Sequence, residues 1–498
     1  MTKQPPVDFA DIQGLVRFGY GALTEAAFLL LRIRDASAAR AWLASAPISN
    51  AVALPQSPDK TLHVAFTCEG LRSLGVADEV LTGFSAEFYS GMTGDENRSR
   101  RLGDLGTNSP QYWDWGGQNN SPHLVVLVYG RENQLDGGLE EIRGRHWEAA
   151  FDVLKCLRTS NLFGMEPFGF KDGISQPTID WKQERRIKGD QLIYGNLVAL
   201  GEFLLGYPNE YGKYTDRPLL SPEKDPLSTL PLAEDQPVLH DLGRNGTYLV
   251  FRQLAQDVRG FWQFMDQQTN SDPHARQELA EAVVGRKQNG EPLVELSDRT
   301  IDGIAKEDAS YNQFTFDSDH NGLRCPLGAH IRRANPRTSD LPGAADNLFS
   351  KLKHTFGFGE NSYREDVIAS TRFHRLLRRG REYGPALPLQ DALQKAPPDD
   401  PARGIHFITL GANISRQFEF VQNAWLMSSK FGGLTGESDP LLGNRLPIPG
   451  CPATNAFTLR QKDTANRRLA SLPQFITVRG GAYFFLPGIR ALRFLARG

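Results

Sequence analysis

Three short stretches of the chain carry side chains of types that do chemistry in company. The first is Phe168-Gly169-Phe170-Lys171-Asp172-Gly173, a single carboxylate set among glycines. An Asp-Gly pair is ordinarily a turn, because Gly accepts positive φ and Asp takes local hydrogen bonds. Glycines also let backbone approach a flat ligand closely and aim an acid into a cavity. The second stretch is Arg324-Cys325-Pro326-Leu327-Gly328-Ala329-His330-Ile331-Arg332-Arg333. A lone histidine is usually a core or surface residue. Here Gly328 and Ala329 leave room beside the ring, which suits a metal ligand. The third runs from Arg372 to Arg381 and holds Arg372, Arg375, Arg378, Arg379 and Arg381. It reads as a solvated basic face or as a nucleic-acid patch. Glu365, Asp366 and Glu382 nearby, and the lack of an aromatic platform, speak against nucleic acid. None of the three decides a function alone.

The elements that would position them follow from pattern. Strands are expected at 26–35, 61–67, 123–129, 404–410 and 482–486. Helices are expected at 36–45 with Ser37 as cap, 69–75, near 84–91, 137–157, 248–269 and 415–428. Phe418, Val421 and Trp425 lie on one face of the last. The strand–helix–strand–strand–helix order of the first 170 residues suits a ferredoxin-like split β-α-β unit, and the last third repeats the rhythm. The expected class is α+β, with two ferredoxin-like halves of antiparallel sheet and packed helices. The boundaries read as 1–185, 186–325 and 326–498. The middle stretch, rich in Pro, Gly, Asp and Asn, is an irregular excursion between the halves.

Composition sets bounds. With 498 residues the chain is too long for one ordinary core. Lys plus Arg is 56 against 58 Asp plus Glu, so the net charge of -2 gives no global argument for nucleic acid or membrane. The four cysteines, Cys68, Cys156, Cys325 and Cys451, form no Cys-x-x-Cys pair, which disfavours zinc knuckles, iron–sulfur clusters and covalent haem attachment. The N-terminus shows no signal-peptide pattern and no apolar run reaches membrane-span length, so a cytoplasmic location is expected.

Together the motifs resemble those of the dye-decolourising peroxidases. The family's Gly-x-x-Asp-Gly is matched by 169–173. Its Cys-Pro-x-x-Ala-His-Ile-Arg-Arg stretch is matched at 325–333 and continues through Asn335-Pro336-Arg337. Arg378-Arg379-Gly380 and Tyr383-Gly384 match its arginine region. Asp11-Ile12-Gln13-Gly14, Asn413-Ile414 with Phe418-Glu419-Phe420, and 478–488 extend the likeness from about residue 11 to residue 488. The long 185–325 region is similar to the larger bacterial and fungal members. The proline expected before Tyr383-Gly384 is missing, which leaves Arg378 and Arg379 as alternatives. The spacing to Gly380 favours Arg378.

The resemblance implies one non-covalent haem b per chain, with His330 on the iron and Asp439 behind it. Asp172 would shuttle a proton of hydrogen peroxide, and Arg378 would stabilise the developing negative charge. Gly169, Phe170, Gly173, Arg332, Arg333 and Arg337 would contact the haem, the arginines through its propionates. Ile405 and Phe407 alternate on one strand face; spacing alone makes them core, the resemblance makes them pocket wall. Bulky dyes and phenols would be oxidised by electron transfer through surface aromatics, Tyr383 or a tryptophan among them. An acidic working range is expected from an aspartate acid–base. The implied partners are peroxide and aromatic reductants, with no nucleic acid or membrane, for a monomer or homodimer. The nearest alternative is a non-catalytic haem-handling protein, which needs His330 but not both distal groups. No Gly-x-Ser-x-Gly or His-Glu-x-x-His supports a hydrolase.

Overall fold

Where the sequence runs apolar and β-branched it forms strands, and where it does not it wraps around them. The computed structural model describes residues 6–118, 120–184, 195–295, 311–338, 371–446 and 453–497. Glu365, Asp366, Cys451 and the parts of the expected excursion at 186–194 and 296–310 lie outside the described residues.

The first half contains β1 (Glu25–Ile33), α1 (Ala36–Ser45), β2 (Lys60–Phe66), β3 (Leu124–Gly130), α2 (Leu135–Arg143) and β4 (Phe151–Arg158). The second contains β5 (Thr247–Gln256), α3 (Val258–Gln268), α4 (Pro273–Val284), α5 (His330–Ala334), β6 (Leu377–Arg378), β7 (Arg381–Tyr383), β8 (Gly404–Gly411), β9 (Ile476–Leu486) and α6 (Ile489–Arg497). Between β8 and β9, residues 415–427 coil more loosely than an α-helix, with the Glu419 amide reaching back to Ile414 O at 2.9 Å.

These nine strands form one sheet in the order β6–β8–β5–β9–β2–β3–β1–β4, with β7 also on β8. Each half runs in the spatial order second, third, first, fourth, all antiparallel, which is the ferredoxin-like arrangement. The halves meet edge to edge, where Phe485 of β9 pairs with Phe66 of β2. Helices cover one face of the sheet. Residues 12–16 and 198–207 cover the other, and both faces are apolar. That two-sided burial explains why β1 and β3 read as unbroken hydrophobic runs.

Four expectations need correction. Asp35, not Ser37, caps α1: its carboxylate accepts from the Ala38 amide at 2.7 Å. The helix expected over 137–157 stops at Arg143, because Gly144 takes a φ of 45°. A single turn at Trp147–Ala150 follows, and then 151–158 is the edge strand β4 against β1. The helix expected over 248–269 begins only after Asp257, whose side chain caps α3. Residues 247–256 are instead β5, buried on both faces between β8 and β9, so periodicity could not betray it. Residues 186–325 are therefore not only an excursion: they supply a central strand and two helices of the second half.

Phe485 is fully buried at the seam and packs 4.8 Å from the Phe84 ring. Phe485→Ala should cost about 3–5 kcal/mol, read as a lower urea midpoint for loss of the sheet.

Candidate active site

Side chains alternate across a strand, and this sorts the arginines of the basic run. Arg378 of β6 pairs with Thr409 of β8, so it shares the helix-covered face with Phe407 and Ile405. Arg379 points to the other face, where it donates to Leu15 O and Val16 O at 2.8 and 3.0 Å. Gln176 clasps the Arg378 backbone from both sides, accepting from its amide at 3.0 Å and donating to its carbonyl at 3.2 Å. Arg378 Nη1 in turn donates to Asp172 Oδ1 at 2.8 Å. The alternative between Arg378 and Arg379 is resolved by geometry: only Arg378 meets Asp172.

Asp172 rides on the loop after β4. Gly169 and Gly173 have φ of 94° and 81°, which explains why glycines stand there. A Cβ on Gly173 would enter open space beside the acid. Burial acts to raise the Asp172 pKa, but the Arg378 guanidinium and the Gly173 amide outweigh it and hold the carboxyl below its usual range.

His330 opens α5, which packs on the 421–427 coil and on α4. Its Nδ1 lies 3.1 and 3.0 Å from the two oxygens of Asp439. Asp439 is fully buried and also accepts from the Leu441 and Leu442 amides at 3.0 and 2.8 Å. With Nδ1–H donated, Nε2 keeps its lone pair for a ligand. Burial disfavours a charged ring, yet the Asp439 carboxylate raises the His330 pKa overall.

The two sides face each other. Arg378 and Asp172 both act electrostatically on His330. Asp172 keeps 45 %, Arg378 29 % and His330 25 % of its side-chain surface free. Among the described residues no cluster of three or more His, Cys, Asp or Glu could hold a bare ion. One carboxylate-backed imidazole suits a metal whose remaining ligands come with it, as in a macrocycle.

Other expected contacts are not brought there. Arg332 donates to Asp319 Oδ2, Cys325 O and Asp319 O at 3.1, 2.7 and 2.9 Å. Arg333 donates to the carbonyls of Trp425, Glu437 and Ser428. Arg337 donates to Asn312 O, Phe314 O and Asn312 Oδ1. All three are buried and tie loops together. Phe170 is buried too, its ring parallel to Trp262 at 6.4 Å. Tyr383 sits on the far face of β8, stacked 4.5 Å from His406 and 9 % exposed. Gln176 and Glu166 were missed in the sequence, since neither type nor spacing marks a residue that holds backbone.

Similarity to known proteins agrees with this arrangement. No protein-family model matches the chain. The dye-decolorizing peroxidase msp1 of Mycetinis scorodonius is 28 % identical over 98 % of this chain and 87 % of its own. The multifunctional dye peroxidase DyP2 of an Amycolatopsis species is 28 % identical over 87 % of this chain and 82 % of its own. The solved structure of an ancestral D-type dye-decolorizing peroxidase superposes with a TM-score of 0.69 at 26 % identity, covering 98 % of this chain and 99 % of that one. Fold and sequence thus support a peroxidase, an oxidoreductase. Over nearly its whole length the chain is similar to dye-decolourising peroxidases in both sequence and fold.

Arg333→Met should leave three buried carbonyls without their donor, each loss costing about 1–3 kcal/mol. A fall in thermal midpoint, with peroxide reactivity retained in the folded fraction, is the expected result.

Proposed function

We propose that the chain reduces hydrogen peroxide and oxidises dyes and phenols, with His330, Asp172 and Arg378 as its working groups. The observation that carries the reading is the facing of a carboxylate-backed imidazole by an Asp–Arg pair 2.8 Å apart. A haem carrier needs only the first of these.

The residues fit one non-covalent haem b. His330 Nε2 would hold it, Asp439 strengthening the donor, while Gly169, Gly173, Ile405 and Phe407 leave or line the space beside it. When bound, the haem supplies the redox centre at which the peroxide bond is cleaved and from which reductants are oxidised.

The protein's part is proton and charge control. The Asp172 carboxylate accepts the proton of the inner peroxide oxygen and returns it to the outer oxygen, which leaves as water. The Arg378 guanidinium stands beside that transfer and stabilises the negative charge of the separating oxygen. Asp172 is held ionised by Arg378, so it is ready as acceptor without a prior proton loss. Reductants too bulky to reach the haem are oxidised from the surface by electron transfer through aromatic side chains; Tyr383, being buried, would serve only as an inner relay. No helix among the described residues is long and apolar enough to cross a membrane. We place the enzyme in the cytoplasm as a monomer or homodimer.

The haem-reconstituted protein should show a Soret band that is lost in His330→Ala, and Asp439→Asn should weaken haem retention about 10–100-fold. Asp172→Asn and Arg378→Leu should keep the band but slow single-turnover peroxide reaction, the former by about 10²–10⁴-fold. A band without peroxide reactivity in the unmodified protein would instead identify a haem carrier.

The pH dependence follows from the direction of the Asp172 shift. A carboxyl with a depressed pKa stays ionised as pH falls past its ordinary value of about 3.9. Loss of the Asp172 acceptor should therefore lower the rate constant for peroxide only below about pH 4. An Asp172→Asn variant that keeps that acid limb at an unchanged rate, measured by stopped flow, would remove Asp172 as the acceptor.

A further inference from the structure

The loop that carries Asp172 is wrapped around another acid. Glu166 stands half-buried at its centre. One carboxylate oxygen accepts from the Phe170 amide at 2.9 Å, the other from the Phe168 amide at 3.0 Å and from Gln256 Nε2 at 2.8 Å. The Glu166 backbone closes the same turn, its amide donating to Phe170 O and its carbonyl accepting from the Gly169 amide, both at 2.8 Å. Gln256 is the last residue of β5, the strand beside β8, so its bond ties the loop to the sheet that carries Phe407. Trp262 of α3 adds a second tether, donating to Phe168 O at 3.1 Å.

No ion pair to Glu166 exists among the described residues. A half-buried carboxylate without a cation is costly, and its hydrogen bonds offset that cost. Two of its three donors are amides of the backbone that runs on through Lys171 to Asp172. A small displacement of that loop would lengthen the 2.8 Å contact between Asp172 and Arg378.

We propose that Glu166 is the positioning residue of the peroxide side, a carboxylate that fixes the 166–172 loop against β5 and so sets where Asp172 stands. This rests on the reading of Asp172 as proton acceptor. Burial pushes the Glu166 carboxyl up to about 7, opposed by the Phe168, Phe170 and Gln256 donors and assisted by the negative charge of Asp172. Gln256 from β5 and Trp262 from α3, which also face the loop, are uncharged. Above about pH 7 the ionised group accepts all three bonds. Below it, the added proton turns an acceptor toward N–H donors, and the loop loosens.

The test combines amide hydrogen exchange of segment 165–172 with stopped-flow peroxide kinetics on the haem-loaded protein. In the unmodified protein, exchange protection of the Phe168 and Phe170 amides should weaken as pH falls through neutrality. Glu166→Gln, which sets an amide N–H against backbone N–H groups, should abolish that pH step and cut the protection by on the order of tenfold. It should also slow the peroxide reaction by about tenfold to a hundredfold, with the Soret band and the KM for the reductant unchanged. Gln256→Ala should act in the same direction to a smaller extent, and it serves if Glu166→Gln does not fold. Unchanged protection, or lost protection with an unchanged peroxide rate constant, would overturn the assignment. An Asp172→Asn variant that reacts normally would overturn the reading of Asp172 instead, leaving the exchange arm to judge Glu166 as the anchor of its loop.

Discussion

The two-residue alternation of a β-strand is the constraint on which the site rests. Along β6 it sends Arg378 to the helix-covered face and Arg379 to the opposite one. Along β8 it sends Ile405, Phe407 and Thr409 after Arg378, while His406 goes the other way and stacks on Tyr383. A one-residue slip in the β6–β8 register would exchange every one of these. That register is strongly specified because both faces of the sheet are apolar, and Gln176 adds a clasp on the Arg378 backbone.

The chain deploys its buried cations in two ways. Arg332, Arg333 and Arg337 spread five-donor forks over carbonyls and carboxylates of loops that no ladder satisfies. They hold in place the segment from which His330 projects. Of these four, Arg378 keeps the free surface and stands beside Asp172. The same side chain thus serves as mortar or as reagent, and what separates the roles is whether the fold leaves any of its donors uncommitted.

Much of the site was legible in the sequence because its motifs are local. The Gly-x-x-Asp-Gly stretch announces Asp172, and the small residues before His330 announce room for a ligand. Asp439 was readable only through the family likeness, since an Asp before Pro is a turn residue by itself. For the arginines that follow His330, sequence shows charge but not which backbone carbonyls they bond. The elements failed where burial hides periodicity. Residues 248–256 look helical in continuity with the helix after them, and only their place between two other strands makes them β5. Residues 151–158 failed for the opposite reason, as an edge strand with mixed polarity. Glu166 carried no signal at all, because its work is done on backbone amides.

The seam at Phe66 and Phe485 has a consequence for how the molecule comes into being. Taken separately, the four-stranded and the five-stranded unit would each end in a raw border, β2 on one and β9 on the other. Both strands are nearly all buried, with unpaired N–H and C=O groups along the open side. A flat apolar border of this kind is a template for indiscriminate strand addition and aggregation. Each unit is therefore the other's chaperone in the finished fold. During synthesis β2 must wait some four hundred residues for its neighbour, so the early unit is guarded only by whatever covers that border until β9 leaves the ribosome.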